Sequence, residues 1–224
     1  MNQTLSEYIT TLGAGSGTVT RVVTQAKRKD RVSVFVDGAF AFGISDEVAY
    51  AHGLSVGATV DATKLAVVDR SDQVDACKRL ALRFLSYRMR SEQEVRRRLA
   101  KEGVSPEIGT EVIAYLRDLN FLDDEAFAMA FARDAALGKK WGPHRIARKL
   151  REAGVGDDQI EGALKEVRNT LEDGEIVRVL AQKRWDQLAR VDDPRKRKKR
   201  LFDYLSRRGF DFDEIRKIVD EVSN

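Results

Sequence analysis

The sequence is short of the residues from which most active sites are built. Its 224 residues include one cysteine, two histidines and three prolines. The lone Cys77 excludes an intramolecular disulfide and any cysteine-rich metal site. His52 and His144 give no pair at metal-ligand spacing, and no glycine-rich stretch ends in Gly-Lys-Ser or Gly-Lys-Thr. Gly13-Ala14-Gly15-Ser16-Gly17 looks superficially like a phosphate loop. It follows no strand pattern and opens no helix pattern, so residues 1–17 are expected to be a flexible leader. No run nears the ~20 apolar residues of a membrane span. The opening MNQTLSEYITTLGAGSG has neither the basic start nor the apolar core of a secretory signal. Together these absences predict a protein of a reducing, cytoplasmic compartment that is no enzyme, needs no cofactor and holds no metal.

Charge is what the chain has in excess. Asp, Glu, Lys and Arg make up 34% of it and hydrophobic residues 42%, against ~25% charge in an average soluble domain. That mixture suits exposed amphipathic helices better than a large buried sheet. The net charge of +4 is unevenly placed: residues 1–75 carry seven basic and nine acidic side chains, net −2, and residues 76–224 carry 33 and 27, net +6. Solvation of helix faces is the ordinary use of such residues. A basic second part also suits an acidic partner, nucleic acid being the commonest.

Residues 18–72 read as a small β-rich module. Thr18 to Ala26 alternates as a half-buried strand does; Val32, Val34 and Val36 mark a second strand, and Phe40, Phe42 and Ile44 a third. Asp37-Gly38 suits the tight turn between the last two. Ser45 is placed to cap a short helix through about His52, with Asp46 and Glu47 at its positive end. A last short strand is expected near Val60.

From Asp75 onward the chain reads as helix after helix, and a repeat emerges. Leu99, Leu150 and Leu205 are each followed four residues later by Gly103, Gly154 and Gly209, and preceded four residues earlier by Val95, Ile146 and Leu201. Val104, Val155 and Phe210 follow the glycines; Ile113, Leu164 and Val219 come further on, then Leu116, Val167 and Val222. An apolar pair four apart shares one helix face, and the glycine takes the left-handed conformation that ends the helix. Pro106, Pro143 and Pro194 each fit a first helical turn. Ser91 with Glu94 has capping-box spacing, and Asp211 with Glu214 is a looser version. Three repeats of three helices are expected over 73–122, 123–170 and 171–224. The fold class is mainly α: tandem three-helix repeats in an elongated, curved array behind the β-rich module.

With the Val, Ile or Leu pair turned inward, Arg97 and Arg148 face outward, flanked by Arg96, Arg98, Arg145, Lys149 and Arg151. In the third repeat Arg195 to Arg200 is an unbroken basic run, with Arg195, Lys196, Lys199 and Arg200 as contact candidates, while Asp203 stands where Arg97 and Arg148 do. Six like charges at a helix start repel one another and oppose the helix dipole, which favours an anionic partner. Phe121, Phe127, Phe131, Trp185 and Tyr204 are patterned as packing residues; Trp141, in a basic loop before Gly142-Pro143, is the aromatic contact candidate. Cys77 is expected to be a small core residue, His52 and His144 surface or cap residues, and Asp123-Asp124-Glu125 a helix start.

Phe121-Leu122-Asp123-Asp124-Glu125-Ala126-Phe127-Ala128, followed by Gly142-Pro143-His144-Arg145-Ile146 and on through Leu150 to Gly154, resembles the RecX family, bacterial regulators of the RecA recombinase. Ser91-Glu92-Gln93-Glu94-Val95 to Gly103 looks the same, and Val36-Asp37-Gly38-Ala39-Phe40-Ala41-Phe42-Gly43 is similar to the β extension of longer members. The resemblance spans about residues 18–222. It implies repeats lying along the groove of a RecA–single-stranded DNA filament, damping filament growth, ATP hydrolysis, strand exchange and co-protease action in recombination, DNA repair and the SOS response. Contacts with single-stranded or double-stranded DNA are implied with it. The rival readings are a general DNA-binding protein that blocks filaments by covering the strand, and a scaffold for an unrelated protein. An exposed repeat edge permits dimers without requiring them, so a monomer is expected.

Overall fold

In the computed structural model, which describes residues 3–170 and 175–223, the chain groups into two units: residues 1–87 with 98–118, and residues 88–97 with 119–224. The first unit holds α1 (Leu5–Leu12), β1 (Ser16–Thr24), β2 (Arg31–Val36), β3 (Ala39–Ser45), α2 (Asp46–Ala51), β4 (Thr59–Asp61) and α3 (Ala62–Leu85). The division falls within α4 (Glu92–Lys101), and α5 (Pro106–Asp118) completes this unit. The strands form one antiparallel sheet in the order β3-β2-β1-β4. Asp37 and Gly38 both take positive φ, 50° and 86°, and pair Val36 with Ala39 across a two-residue turn; that geometry matches the twist of the strands. Val32, Val34 and Val36 consequently all point inward, joining Phe42, Ile44, Val60, Leu65 and Val68 in one core.

The flexible leader expected over 1–17 is instead helical from Leu5 to Leu12. Thr4 and Glu7 form a reciprocal capping box, and Leu5, Tyr8, Ile9 and Leu12 pack on the sheet's core, Tyr8 with its ring 5.5 Å from that of Phe42. The glycines only end this segment; the Thr-x-x-Glu start and apolar residues at i, i+3, i+4 and i+7 dictate its structure. Two further expectations are corrected. Ser45 precedes α2, but its side chain makes no capping bond; its N–H donates to Asp72 Oδ1 at 2.7 Å. Helix does not begin near Asp75 but at Ala62, capped by Asp61, which accepts from Lys64 N at 2.7 Å. The boundary placed at 72/73 therefore falls inside one helix, whose first turns bury Leu65 and Val68 against the sheet and whose later turns bring Lys78 over the ring of Tyr115 on α5. Cys77 sits half-buried in mid-helix, and burial pushes its thiol pKa up.

The second unit contains the start of α4 and then α6 (Asp124–Leu137), α7 (Pro143–Glu152), α8 (Asp157–Thr170), α9 (Glu175–Gln187), α10 (Pro194–Arg208) and α11 (Phe212–Ser223). The boundary placed at 170/171 meets residues 171–174, which lie outside the described residues. Asp123 caps α6 by accepting from Ala126 N at 2.9 Å, and the prolines open α5, α7 and α10 as expected. α6 turns Ala128, Ala132 and Ala135 inward with Phe127, against Ile146 and Leu150 of α7 and Ile160 and Ala163 of α8. α9, α10 and α11 enclose a separate core of Val177, Ala181, Leu201, Leu205, Phe210, Ile215 and Ile218. Gly103, Gly154 and Gly209 have φ of 79°, 85° and 84°, the left-handed values their spacing predicts. Phe121 is the exception among the aromatics assigned to packing: it is exposed.

Candidate nucleic-acid interface

Within the second unit the repeats meet end to end. Ser91 and Gly142 occupy the same place, just before the middle helix of the first and second repeats. Ser91 Oγ donates to Ala153 O at 2.5 Å, and Gly142 N donates to Arg208 O at 2.8 Å; Ala153 and Arg208 are again equivalent positions. The start of α4 thus sits on the end of α7, and the start of α7 on the end of α10. Each contact satisfies carbonyls that a helix end leaves without partners. At the second junction His144 N adds a bond to Gly209 O at 3.0 Å, and Arg145 Nη1 donates to Arg207 O at 3.3 Å. Arg208 in return donates to Lys139 O at 2.7 Å and to Lys140 O at 3.3 Å. Packing is close enough that a Cβ on Gly154 would overlap the Gln93 side chain, and one on Gly209 would overlap the Arg145 main chain.

These junctions sort the basic residues. Around α4, Arg96 Nε pairs with Glu92 at 2.9 Å, Arg98 with Glu102 at 2.8 Å, and Arg97 Nη1 donates to Glu152 O at 2.7 Å. These three arginines are therefore engaged within the protein. On α7, Lys149 pairs with Glu152 at 2.5 Å and Arg151 with Asp157 at 2.8 Å. Arg148 is 65% exposed and reaches Glu152 at 3.8 Å through one nitrogen. Lys149 hydrogen-bonds Glu152 and, with the charge of Arg148, holds its carboxyl below the usual carboxylate range.

Trp141 lies half-buried on the second repeat's core, its ring 6.5 Å from that of Phe131, with Arg145 4.3 Å and Lys139 4.7 Å from its centre. It holds Arg145 in place through a cation–π contact. On α10 the basic run divides. Arg195, Lys196, Lys199 and Arg200 are exposed, while Arg197 turns inward over Trp185 at 3.8 Å and donates to its carbonyl at 2.7 Å. Lys198 pairs with Asp220 at 3.3 Å. Asp193 caps the helix by accepting from Arg195 N and Lys196 N, offsetting part of the repulsion at its start. Among the described residues, Arg195, Lys199 and Arg200 have no carboxylate within ion-pair distance.

Sequence reasoning missed Arg207 and the role of His144. Arg207 ends α10, where a cation is the ordinary complement to the helix dipole, so nothing in its position distinguishes it. It lines a cleft of about 410 Å³ together with His144, Arg145, Arg148, Ser206 and Gly209. Among the described residues, no group of His, Cys, Asp and Glu could hold a metal, and no helix is long and apolar enough to cross a membrane.

The comparisons with known proteins agree along the chain. Residues 17–61 match the family model of the regulatory protein RecX N-terminal domain; residues 77–116, 123–164 and 172–219 match those of the first, second and third RecX three-helix domains. A "Regulatory protein RecX" of Clostridium botulinum (strain Alaska E43 / Type E3) is 33% identical over 207 residues, covering 92% of this chain and 96% of that protein. One of Bacillus subtilis (strain 168) is 32% identical, covering 91% and 76%. A crystal structure of regulatory protein RecX superposes with a TM-score of 0.76 at 26% identity, covering 91% of this chain and 99% of that one. The RecX of Lactobacillus salivarius gives 0.61 at 27% identity, covering 68% and 97%. With four family models in sequence and relatives a third identical over nine-tenths of its length, this chain belongs to the RecX family of regulatory proteins.

Proposed function

We propose that the protein is a non-enzymatic regulator of the RecA recombinase, binding the RecA–single-stranded DNA filament in the cytoplasm and damping its growth, ATP hydrolysis, strand exchange and co-protease action. RecA as the partner comes from the family. The observation on this chain that carries the reading is the set of exposed cations on α7 and α10: Arg148, Arg195, Lys199, Arg200 and Arg207. They offer an anionic filament several modest contacts at once, and such contacts raise effective affinity steeply.

The test is DNA-dependent ATP hydrolysis by preformed RecA filaments, titrated with this protein far below one per RecA subunit. Inhibition is expected at those ratios. Reversing Arg195, Lys199 and Arg200 to Glu weakens it while far-UV helicity is retained. Arg195, Lys199 and Arg200 on α10 also favour a second reading, in which the protein simply coats DNA. That reading predicts no inhibition until the protein is abundant enough to cover the strand.

A further inference from the structure

The two junctions of the second unit share a backbone arrangement but not a charge. Around the first, the cleft positions hold Gln93, Glu94, Arg97, Arg151, Glu152 and Gly154, two cations against two carboxylates. Those groups are also occupied: Glu94 pairs with Arg88 at 2.7 Å, Arg97 donates to Glu152 O, and Arg151 pairs with Asp157. At the second junction the same positions hold His144, Arg145, Arg148, Ser206, Arg207 and Gly209, three arginines and no carboxylate among them; the nearest carboxylates are Glu152, 3.8 Å from Arg148, and Asp211, 3.5 Å from His144. Solvation alone gives no reason for helix ends in contact to concentrate like charge. Three guanidinium groups within one cleft repel one another, and a bound anion removes that cost.

We infer that the cleft between α7 and the end of α10 seats a backbone phosphodiester of single-stranded nucleic acid, with Arg148 and Arg207 as its charged contacts and Ser206 as a hydroxyl donor. Arg145 is the positioning residue: Trp141 under its guanidinium and the Arg207 carbonyl at its Nη1 fix it at the floor. Arg207 is exposed with no carboxylate in ion-pair distance among the described residues, and Arg148 keeps one loose pair at 3.8 Å, so both can turn to a phosphate. A volume of about 410 Å³ falls within the ~300–1,000 Å³ of small-ligand sites and admits a nucleotide unit. Arginine suits the role because its planar fork matches two phosphate oxygens at once. The floor carries no base-reading aromatic face, since Trp141 is covered by cations, so binding is insensitive to base identity.

This inference rests on the reading of the protein as acting on a nucleic-acid filament, and a bare oligonucleotide lets the two fail separately. Fluorescence anisotropy of an oligo-dT strand at low salt, on the full chain, should show about a tenfold loss for the double variant Arg148→Gln/Arg207→Gln. The slope of log affinity against log salt should fall by ~0.7 for each phosphate the variant no longer neutralises. Arg133→Gln and Arg178→Gln, which neutralise exposed cations elsewhere on the unit, should leave both unchanged; far-UV CD and melting of every variant report folding. Unchanged oligonucleotide affinity in the folded double variant overturns the cleft, whatever the filament assay gives. Equal losses in the two control variants reduce it to diffuse charge and also overturn it. Competition by millimolar inorganic phosphate, with oligonucleotide binding indifferent to the variant, makes it a small-anion site and overturns the nucleic-acid assignment. A cleft-dependent oligonucleotide affinity without substoichiometric filament inhibition leaves the cleft standing and removes the regulatory reading.

Discussion

The two junctions differ in what carries them, although the helix ends are placed alike. At the first, a side chain does the joining: Ser91 Oγ bonds across to Ala153 O, and the capping box of Ser91 and Glu94 closes the start of α4. At the second, Gly142 offers no side chain and backbone bonds join the helix ends directly, Gly142 N to Arg208 O and His144 N to Gly209 O, with the Arg145 and Arg208 guanidinium groups added around them. Handing the joint to main-chain atoms removes the need for a capping carboxylate at the equivalent place. There the second junction carries arginines where the first carries glutamates. The difference teaches that a repeat can keep its architecture while one copy of the joint changes its charge.

The largest effect should come from closing the space that the backbone joint needs. Gly103 and Gly209 have nearly the same left-handed φ, but a Cβ on Gly103 meets nothing within 4 Å, whereas one on Gly209 overlaps Arg145. Gly103→Ala costs the left-handed penalty alone, roughly 1–2 kcal/mol. Gly209→Ala adds overpacking against main chain, roughly 1–3 kcal/mol more. Urea denaturation followed by far-UV CD compares them; equal losses would mean that the junction yields and is not tightly packed.

Ser91→Ala acts on the other joint. It deletes a buried hydroxyl that donates to Ala153 O and accepts from Glu94 N at 3.2 Å. Losing a cap costs about 1 kcal/mol, and taking the partner from a part-buried carbonyl adds up to about as much. Stability should fall by roughly 1–2 kcal/mol while oligonucleotide affinity stays at the wild-type value, because the cleft at the second junction is untouched. A drop in affinity would show that the two junctions are coupled and break the division of labour.

Local features of the repeat are legible because neighbouring residues fix them. Leu-x-x-x-Gly, a proline in the first turn and Ser-x-x-Glu each act within a few residues, and the structure has them where the spacing puts them. The junctions are not legible, since a donor at Ser91 reaches a carbonyl 62 residues away and no spacing announces it. The same limit governs charge. Arg97 and Arg148 are equivalent in sequence and both exposed, yet Arg97 is held by a carbonyl of the next repeat at 2.7 Å while Arg148 keeps only a loose pair with Glu152 at 3.8 Å. The early helices escape a sequence reading for a different reason. In α1 the glycines after it outweigh its own cap, and in α3 the polar run Asp69-Arg70-Ser71-Asp72-Gln73 disguises the continuity of one helix that packs first on the sheet's core and then against α5.

A smaller effect comes from making the first junction resemble the second. Glu152 is the counterpart of Arg207, and its carboxylate is engaged by Lys149 and, loosely, by Arg148. Glu152→Arg releases both and adds a third cation, while its carbonyl remains for Arg97. Oligonucleotide affinity should rise roughly two- to fivefold, the scale of an exposed charge pair. Anisotropy with the strand used for the cleft measures it, and an unchanged affinity would show that charge at a junction is not enough without the second joint's geometry.

The smallest difference lies in acid sensitivity, and it separates the two joints without changing any residue in the cleft. Asp211 follows the second junction at the position of Gly156 after the first. Its carboxylate accepts from Asp213 N at 2.9 Å and faces His144 at 3.5 Å, and these bonds, the backbone one foremost, hold its pKa below the usual carboxylate range. A depressed carboxyl pKa stabilises the folded state above the ordinary carboxylate value, and that contribution is lost as pH falls through the depressed one. α8, by contrast, starts with Gly156 N donating to the Gln159 amide oxygen at 3.1 Å, a group that does not titrate. Acidification below about pH 4 should therefore loosen the first turn of α11 before that of α8. Amide exchange at Asp213 and Glu214 should accelerate relative to Asp158 and Gln159, once corrected for intrinsic rates. Asp211→Asn should abolish the difference, since an amide cannot lose the charge that does the work. Equal acceleration at both helices would place the acid sensitivity in the repeat as a whole and not in its second joint.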